Sequence, residues 1–101
     1  MKKMNDKLNE RGYTELAELF KVFGDETRLK LMSALLEGGE MCVGALAEAA
    51  EMSQSAVSHQ LSALKRAKLV KATRSGKQML YSLDDDHVKA ILSCGLDHVN
   101  E

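Results

Sequence analysis

The fold is decided by the stretch Ser53-Gln54-Ser55-Ala56-Val57-Ser58-His59-Gln60-Leu61. A serine at the start of such a stretch is a preferred helix N-cap, because its side-chain oxygen can accept a hydrogen bond from a free backbone N–H of the first turn. Apolar residues then recur at helical spacing, at Val57, Leu61 and Leu64, and predict one buried face. We therefore predict a helix over about residues 54–67 whose remaining surface is polar.

Further elements are predicted on both sides of this helix. A short helix is predicted over about residues 43–50. Only the connection Glu51-Met52 separates it from Ser53 and the next helix, and so tight a turn is typical of a helix-turn-helix. Behind it the pattern alternates as in strands, over 69–73 and 78–83, and Arg74-Ser75-Gly76-Lys77 supplies the glycine that a hairpin turn favours. Helical spacing returns in three more segments: 13–23, 25–38, and from Asp84 or Asp85 to the C-terminus.

The predicted fold class is mainly α with a β-hairpin wing: a winged helix-turn-helix of order α-α-α-α-β-β-α. A chain of 101 residues is expected to form a single domain over 1–101, with residues 1–11 as a flexible N-terminal arm. So short a chain gains considerably from a subunit interface, and we expect a homodimer. The charged start and the lack of a long apolar run predict no signal peptide, no membrane partner and a cytoplasmic protein.

The charges are unevenly distributed along the sequence. The net charge is only −1, but residues 52–83 contain six basic residues and no acidic one, whereas the rest of the chain has eight basic and fifteen acidic residues. A solvated surface is the ordinary interpretation of a charge run. The complete absence of acids over this segment favours a polyanion as the partner, since phosphate neutralisation supplies affinity that does not depend on sequence.

The predicted helix after Ser53 suits the major groove of double-stranded DNA. Short polar side chains in its first turns can reach base edges and phosphates in a groove about 12 Å wide, and basic residues at the tip of the hairpin can reach the flanking backbone. An ordinary solvent-facing helix side is the alternative. The predicted DNA-binding residues are Ser53, Gln54, Ser55, Val57, Ser58, His59, Gln60, Lys65, Arg74 and Lys77.

The last predicted helix carries four side chains that can bind a metal: Asp85, His87, His98 and Glu101. At 1.5 Å per residue the two histidines are about 16 Å apart, so they cannot share one ion within a chain. Two copies of the helix packed antiparallel would bring Asp85 and His87 of one subunit to His98 and Glu101 of the other. Two imidazoles and two carboxylates suit Zn(II) or Co(II). Helix capping is the alternative role for the acidic residues at the helix start.

From about residue 13 onwards the chain resembles the ArsR/SmtB family of metalloregulatory repressors. The resemblance rests on Phe23-Gly24-Asp25-Glu26-Thr27-Arg28, on residues 55–61, on the wing, and on the four ligands, which look like the zinc site of the zinc-sensing branch. It implies a metal-free homodimer that binds an inverted-repeat operator and is released by Zn(II), which derepresses metal efflux or homeostasis genes. It also implies a hydrogen-bond route from His98 towards the end of the recognition helix near Lys68.

Two other signals are weighed against zinc. The soft-metal sensors of the family carry a Cys-x-Cys pair where this chain has Cys42-Val43-Gly44, so a cadmium, lead or arsenic site is not expected. The alternative function is a thiol-based repressor of the same fold, responsive to oxidants or reactive sulfur through Cys42 and Cys94. Two reduced, buried cysteines without a sensing role are the simpler interpretation.

An enzyme is not expected. No catalytic triad pattern or phosphate-cradling glycine loop is found, and a four-ligand metal site leaves no open position for a substrate. We therefore predict no small-molecule substrate. A zinc ion that only holds the dimer together is the remaining alternative.

Overall fold

A computed structural model describes residues 9–101. Five helices and one hairpin follow each other in the predicted order. They are α1 (Glu10–Phe23), α2 (Glu26–Gly38), α3 (Val43–Ala50), α4 (Gln54–Arg66), β1 (Val70–Ser75), β2 (Gln78–Leu83) and α5 (Asp86–Val99). The predicted fold class is confirmed.

The turn between α3 and α4 is as tight as the sequence predicts. Glu51 ends α3 in the left-handed conformation, with φ 57°, and Ser53 caps α4 by accepting the backbone N–H of Ala56 at 3.1 Å. Leu64 and its apolar neighbours on α4 face the core. The helix that follows the turn is thereby held at a fixed angle to α3.

The wing is an antiparallel hairpin whose strands pair from Val70–Leu83 to Ser75–Gln78. Only Gly76 and Lys77 form its turn, and Gly76 has a φ of 63°, a conformation that glycine adopts without strain. Strand β2 also pairs with the segment before α3, since Met41 and Tyr81 exchange both backbone hydrogen bonds, at 2.9 and 2.8 Å. The wing is therefore fixed to the α2–α3 connection as well as to α4.

The core is aliphatic except for Phe23, its one aromatic member among residues 9–101. It contains contributions from every helix and both strands, and no polar or charged residue among 9–101 is buried. Its fully buried members are Leu31, Met32, Leu35, Leu46, Val57, Leu61, Leu64, Leu69 and Val70. Within the described part of the chain, no helix is long and apolar enough to cross a membrane.

Two predicted boundaries are corrected. Helix α1 begins at Glu10, three residues before the predicted start, because the Asn9 side chain caps it by accepting the Gly12 backbone N–H at 2.8 Å. The last part of the predicted arm, residues 9–11, is thus a cap and the start of a helix, whereas residues 1–8 lie outside the described residues. Strand β1 runs to Ser75 instead of residue 73, because the two-residue turn lets the pairing continue.

Candidate nucleic-acid interface and metal centre

The outward surface of α4 carries short polar side chains. Most of the DNA-binding residues predicted for this helix and its cap are exposed: Ser53, Gln54, Ser55, Ser58 and His59. The structure therefore brings five of the predicted residues together on one accessible surface. No acidic residue lies in the first turn of α4, so the N-terminal end of the helix, where backbone N–H groups point outwards, remains favourable for an anion.

The prediction that Val57 binds DNA is wrong. Val57 is 0 % exposed and belongs to the core, where Leu61 and Leu64 continue its face of α4 at i+4 and i+7. A side chain on that face is turned towards the centre of the domain. Val57 therefore holds α4 in place and does not contact a ligand.

Gln60 also differs from its exposed neighbours, because it is half-buried and bonded within the protein. Its side-chain oxygen Oε1 accepts a hydrogen bond from Nε of Arg28 at 3.1 Å, across thirty-two positions of the sequence. Arg28 lies in the first turn of α2, and its backbone N–H donates to the capping carboxylate of Asp25 at 3.0 Å. Sequence reasoning assigned no role to Arg28, and a single sequence offers no signal that would pair it with Gln60.

The basic residues of segment 52–83 lie on the surface of the end of α4 and of the wing. All six are exposed: Lys65, Arg66, Lys68, Lys71, Arg74 and Lys77. None of them forms a salt bridge with an acidic residue of 9–101, whereas Arg11, Lys30 and Lys89 do pair with acids elsewhere in that range. The positive charge of this surface, which we call the basic surface, is therefore not neutralised by neighbouring carboxylates of the described chain.

Asp85 and His87 lie together at the start of α5. Asp85 is the N-cap: its Oδ1 accepts the backbone N–H of His87 at 2.9 Å and that of Val88 at 3.1 Å. Its Oδ2 lies 3.5 Å from Nδ1 of the His87 ring, which is 93 % exposed. The backbone hydrogen bond from Val88, helped by His87, lowers the pKa of Asp85 below its ordinary value because these contacts favour the ionised carboxylate.

The second pair, His98 and Glu101, lies at the other end of α5 and is also exposed. The intervening helix keeps the two pairs about 16 Å apart, and no group of three metal-binding side chains forms among residues 9–101 of one chain. In the same range the His98 ring makes no side-chain hydrogen bond, so the implied route towards Lys68 is not formed within one chain. The donors in each pair, oxygen and nitrogen, are of the kind that zinc takes, and one pair alone is too few to complete a zinc site.

The two cysteines occupy different environments. Cys42 is the half-buried N-cap residue of α3, and Cys94 is exposed on α5. Both are free thiols. The expectation that both are buried is wrong for Cys94, because it lies on the outer side of the last helix.

Helices α1 and α5 leave a large apolar surface open. On α1 the exposed apolar residues are Tyr13, Leu16 and Phe20; on α5 they are Leu96 and Val99, the last of these 73 % exposed. Phe20, Ile91, Leu96 and Val99 contribute to the lining of a cavity of about 350 Å³ between α1, α2 and α5. We call this the α1–α5 surface. Contiguous apolar surface of this kind is typical of an interface.

The fold and the exposed polar helix beside an unpaired basic surface define a winged helix-turn-helix regulator. Residues 25–72 match the family model described as "Bacterial regulatory protein, arsR family". The chain belongs to this ArsR family. Because the family consists of regulatory proteins, the prediction that the chain is not an enzyme is confirmed.

Two curated relatives show the range of the similarity. A transcriptional repressor SmtB homolog from Synechocystis is 46% identical over 87 residues, which are 86% of this chain and 65% of that protein. An HTH-type transcriptional regulator from Methanocaldococcus jannaschii is 42% identical over 80 residues, 79% of this chain and 90% of that protein. The chain thus spans slightly less than two thirds of the cyanobacterial relative.

Solved structures agree with the fold over nearly the whole chain. A homodimeric winged helix-turn-helix DNA-binding domain from Mycobacterium bovis superposes with a TM-score of 0.85 at 27% identity, covering 100% of this chain and 92% of that one. The antimony-specific transcriptional repressor AntR gives a TM-score of 0.82 at 32% identity, covering 99% and 96%.

Proposed function

We propose that this protein is a metal-responsive transcriptional repressor. As a metal-free homodimer it binds an inverted-repeat operator in double-stranded DNA, and Zn(II), or Co(II), releases it so that metal efflux or homeostasis genes are expressed. The observation that carries the proposal is the placement of two metal-binding pairs at opposite ends of α5, Asp85 with His87 and His98 with Glu101. Relatives named as an SmtB homolog and a Staphylococcus aureus CadC homolog support a metal as the signal.

DNA binding is supported by the polar surface of α4 and by the basic surface. The first turns of α4 offer Ser55, Ser58 and His59 to base edges, while Arg74 and Lys77 on the wing reach the backbone beyond the groove. Lys65, in the last turn of α4, extends the positive charge along the duplex. One copy has one recognition helix, and a two-fold dimer offers two, which suits a palindromic operator.

Dimerisation is supported by the α1–α5 surface. Its exposed residues, with Phe20 and Val99 among them, are apolar in a domain whose own core is already complete without them. Covering this surface with a second copy removes it from water, which stabilises the dimer by roughly 25 cal/mol for each Å² of apolar area buried. The M. bovis domain with the same fold is described as homodimeric.

The metal-binding pairs fit the same dimer. Two α5 helices that run antiparallel bring Asp85 and His87 of one copy to His98 and Glu101 of the other, and the two-fold axis generates a second equal site. The lowered pKa of Asp85 favours the ionised carboxylate, which is the form that binds a metal. A metal held there fixes the relative angle of the two subunits, and with it the spacing of the recognition helices.

Fluorescence anisotropy on a labelled operator duplex tests the proposal. The duplex is one that the protein itself selects from a random pool. We expect binding without metal, release on addition of Zn(II), and recovery with a chelator. The variant His98→Ala should bind the duplex equally well and should no longer respond to Zn(II).

The matched control is Asp97→Asn, which changes the exposed neighbour of His98 on α5 and leaves the four donors in place. This variant should respond to Zn(II) like the natural chain. If Zn(II) still releases His98→Ala, the assignment of the metal site is wrong. If no duplex is selected, the repressor function itself is wrong.

The thiol-based alternative rests on one observation, the exposure of the free thiol of Cys94 on α5. Its test is the same anisotropy experiment with an oxidant in place of Zn(II). The double variant Cys42→Ser, Cys94→Ser should keep the Zn(II) response in full. Loss of an oxidant response in that variant, together with a natural chain that ignores Zn(II), would favour the thiol mechanism.

A further inference from the structure

We infer that Arg28 is a positioning residue for DNA recognition, and that it acts by fixing the amide of Gln60 on the recognition helix α4. The inference rests on the proposed DNA binding and adds a residue outside the helix-turn-helix to the machinery of sequence reading. It assigns the indirect role to Arg28, and it makes Gln60 an amide held in one orientation in place of the free side chain that the sequence predicts.

The Arg28–Gln60 contact is unusual among the contacts of this chain. Among residues 9–101, the other side-chain-to-side-chain hydrogen bonds join residues at most five positions apart, at 11/15, 74/79 and 85/87. Only the bond from Arg28 Nε to Gln60 Oε1, at 3.1 Å, joins two helices in that range. Both side chains are half-buried, which protects the bond from competing water.

The donor end of the contact is itself held in place. Asp25 caps α2 and accepts the Arg28 backbone N–H at 3.0 Å, so the backbone of Arg28 is held in the capped first turn of α2. Leu31 and Met32, one turn later, are fully buried and fix α2 to the core. The guanidinium therefore approaches α4 from a fixed element, and the contact fixes the rotation of Gln60 relative to that element.

The chemistry of the amide explains why this matters for recognition. A glutamine amide can turn over and exchange its oxygen and nitrogen, and thereby present either an acceptor or a donor. Because Arg28 is a donor only, its bond to Oε1 fixes which end of the amide faces α2, and the two N–H groups of Nε2 make no hydrogen bond within residues 9–101. Nearby exposed His59 and Ser58 then meet DNA beside a fixed donor rather than a reversible group.

The partner of Arg28 is neutral, and this keeps its charge available. No acidic side chain of residues 9–101 forms a salt bridge with Arg28. A glutamate at position 60 would cancel that charge and place a carboxylate close to the DNA phosphates. A glutamine accepts the hydrogen bond without introducing a negative charge on the DNA-binding side.

The test is a double-mutant cycle with Arg28→Met, Gln60→Met and the double variant, which keep side-chain length and remove the donor or the acceptor. Affinity is measured by anisotropy on the selected operator duplex and on a scrambled duplex of the same composition, at several salt concentrations. Lys30→Met is the matched control, because it removes a positive charge from the exposed side of the same helix. Thermal unfolding of each variant, followed by circular dichroism, shows that the measured proteins are folded.

We expect each single variant to lose about 3- to 10-fold in operator affinity, the size of one hydrogen bond, and the double variant to lose no more than either alone. The ratio of operator to scrambled affinity should fall, the salt dependence should stay unchanged, and Lys30→Met should behave like the natural chain.

Three results would overturn the inference. Losses that multiply in the double variant would mean that the two residues act separately. An equal loss on both duplexes, with a salt slope lowered by about 0.9, would mean that Arg28 contacts a phosphate directly. A lowered melting temperature with an unchanged affinity ratio would mean a purely structural bond. A natural chain that binds no duplex would instead refute the proposed function.

Discussion

Glu51 holds a backbone conformation that suits glycine, at the turn of the helix-turn-helix. Its φ is 57°, and its backbone N–H still bonds back to Ala47 and Glu48. A residue with a side chain is destabilised by roughly 1–2 kcal/mol in the left-handed region, and glycine avoids this cost. Glycine also makes the unfolded chain more flexible, which offsets part of the gain. We expect Glu51→Gly to raise the free energy of unfolding by about 0.5–1 kcal/mol, measured by urea unfolding at a fixed protein concentration. Glu51→Ala should give no such gain, and an equal gain in both variants would show that backbone strain is not the cause.

Asp85 has a lowered pKa in the folded chain, first because of the backbone hydrogen bond from Val88. A carboxyl whose pKa is lowered in the folded chain stabilises the fold at pH values above its ordinary pKa of 3.8. This contribution is lost as the pH falls through the lowered pKa of the folded chain. In the metal-free protein we expect the pKa of the Asp85 carboxyl to lie below 3.8. Carbon NMR of the side chain measures this titration. Titration at or above that value would mean that the cap at the start of α5 is not formed.

Single residues divide into those that the sequence identifies and those that depend on the fold. Exposed Ser55, Ser58 and His59 were predictable, because helical spacing separates them from the apolar stripe. The same spacing places Val57 in that stripe, so its assignment to DNA conflicted with the periodicity, and the periodicity was correct. The role of Arg28 could not be predicted, since its partner lies thirty-two positions away and only packing brings the two together.

Helix α1 carries exposed apolar side chains that a second copy of the chain would cover in the proposed dimer. Phe20 on α1 is exposed in one copy and lines the cavity beside Leu96 and Val99 of α5. We expect Phe20→Glu to weaken dimerisation by at least about tenfold, because a buried charge replaces the burial of an aromatic ring. Analytical ultracentrifugation over a concentration series measures this. Thr14→Glu, about a third of a turn away around α1, is the control that should remain dimeric; an equal effect of both variants would argue against the α1–α5 surface as the interface.

The elements were predictable in type and order, and less so in their ends. Helical and alternating periods differ over whole segments, which is why five helices and a hairpin were found in sequence. Ends depend on single hydrogen bonds, such as the Asn9 cap that starts α1 three residues early. The pairing of Met41 with Tyr81 was not predictable, because an isolated bridge leaves no periodic pattern.

Across the whole molecule, basic and acidic residues are concentrated in different parts of the chain, and the basic surface is the positively charged part. If Arg74 and Lys77 on the wing contact phosphates, each should contribute about 0.9 to the slope of log affinity against log salt. We expect Arg74→Gln and Lys77→Gln each to lower this slope by about that amount and to weaken operator and scrambled duplexes equally. Lys30→Gln, on α2, should leave both quantities unchanged. A selective loss on the operator would instead mean that the wing reads bases.

The proposed metal site is present in one chain only as two halves, because its completion depends on symmetry between two copies. One chain places Asp85 and His87 at one end of α5 and His98 and Glu101 at the other, and a rigid helix keeps the ends apart. Periodicity and spacing give the pairs and exclude a site within one chain. How two copies meet is a property of the α1–α5 surface in three dimensions, which no pattern along the sequence specifies.

A mixed dimer distinguishes a shared site from any site within one chain. His87→Ala and His98→Ala homodimers should both lack tight Zn(II) binding, since each mutation damages both symmetric sites. After the two variants are unfolded together and refolded, about half of the dimers combine one chain of each kind. In these, one site has lost both histidines, whereas the other joins the intact His87 of one chain to the intact His98 of the other. Competition against a chromophoric chelator should therefore recover about a quarter of the natural Zn(II) capacity on mixing. Each variant refolded alone is the control, and a mixture that binds no more than the separate variants would show that His87 of one chain and His98 of the other do not share a site.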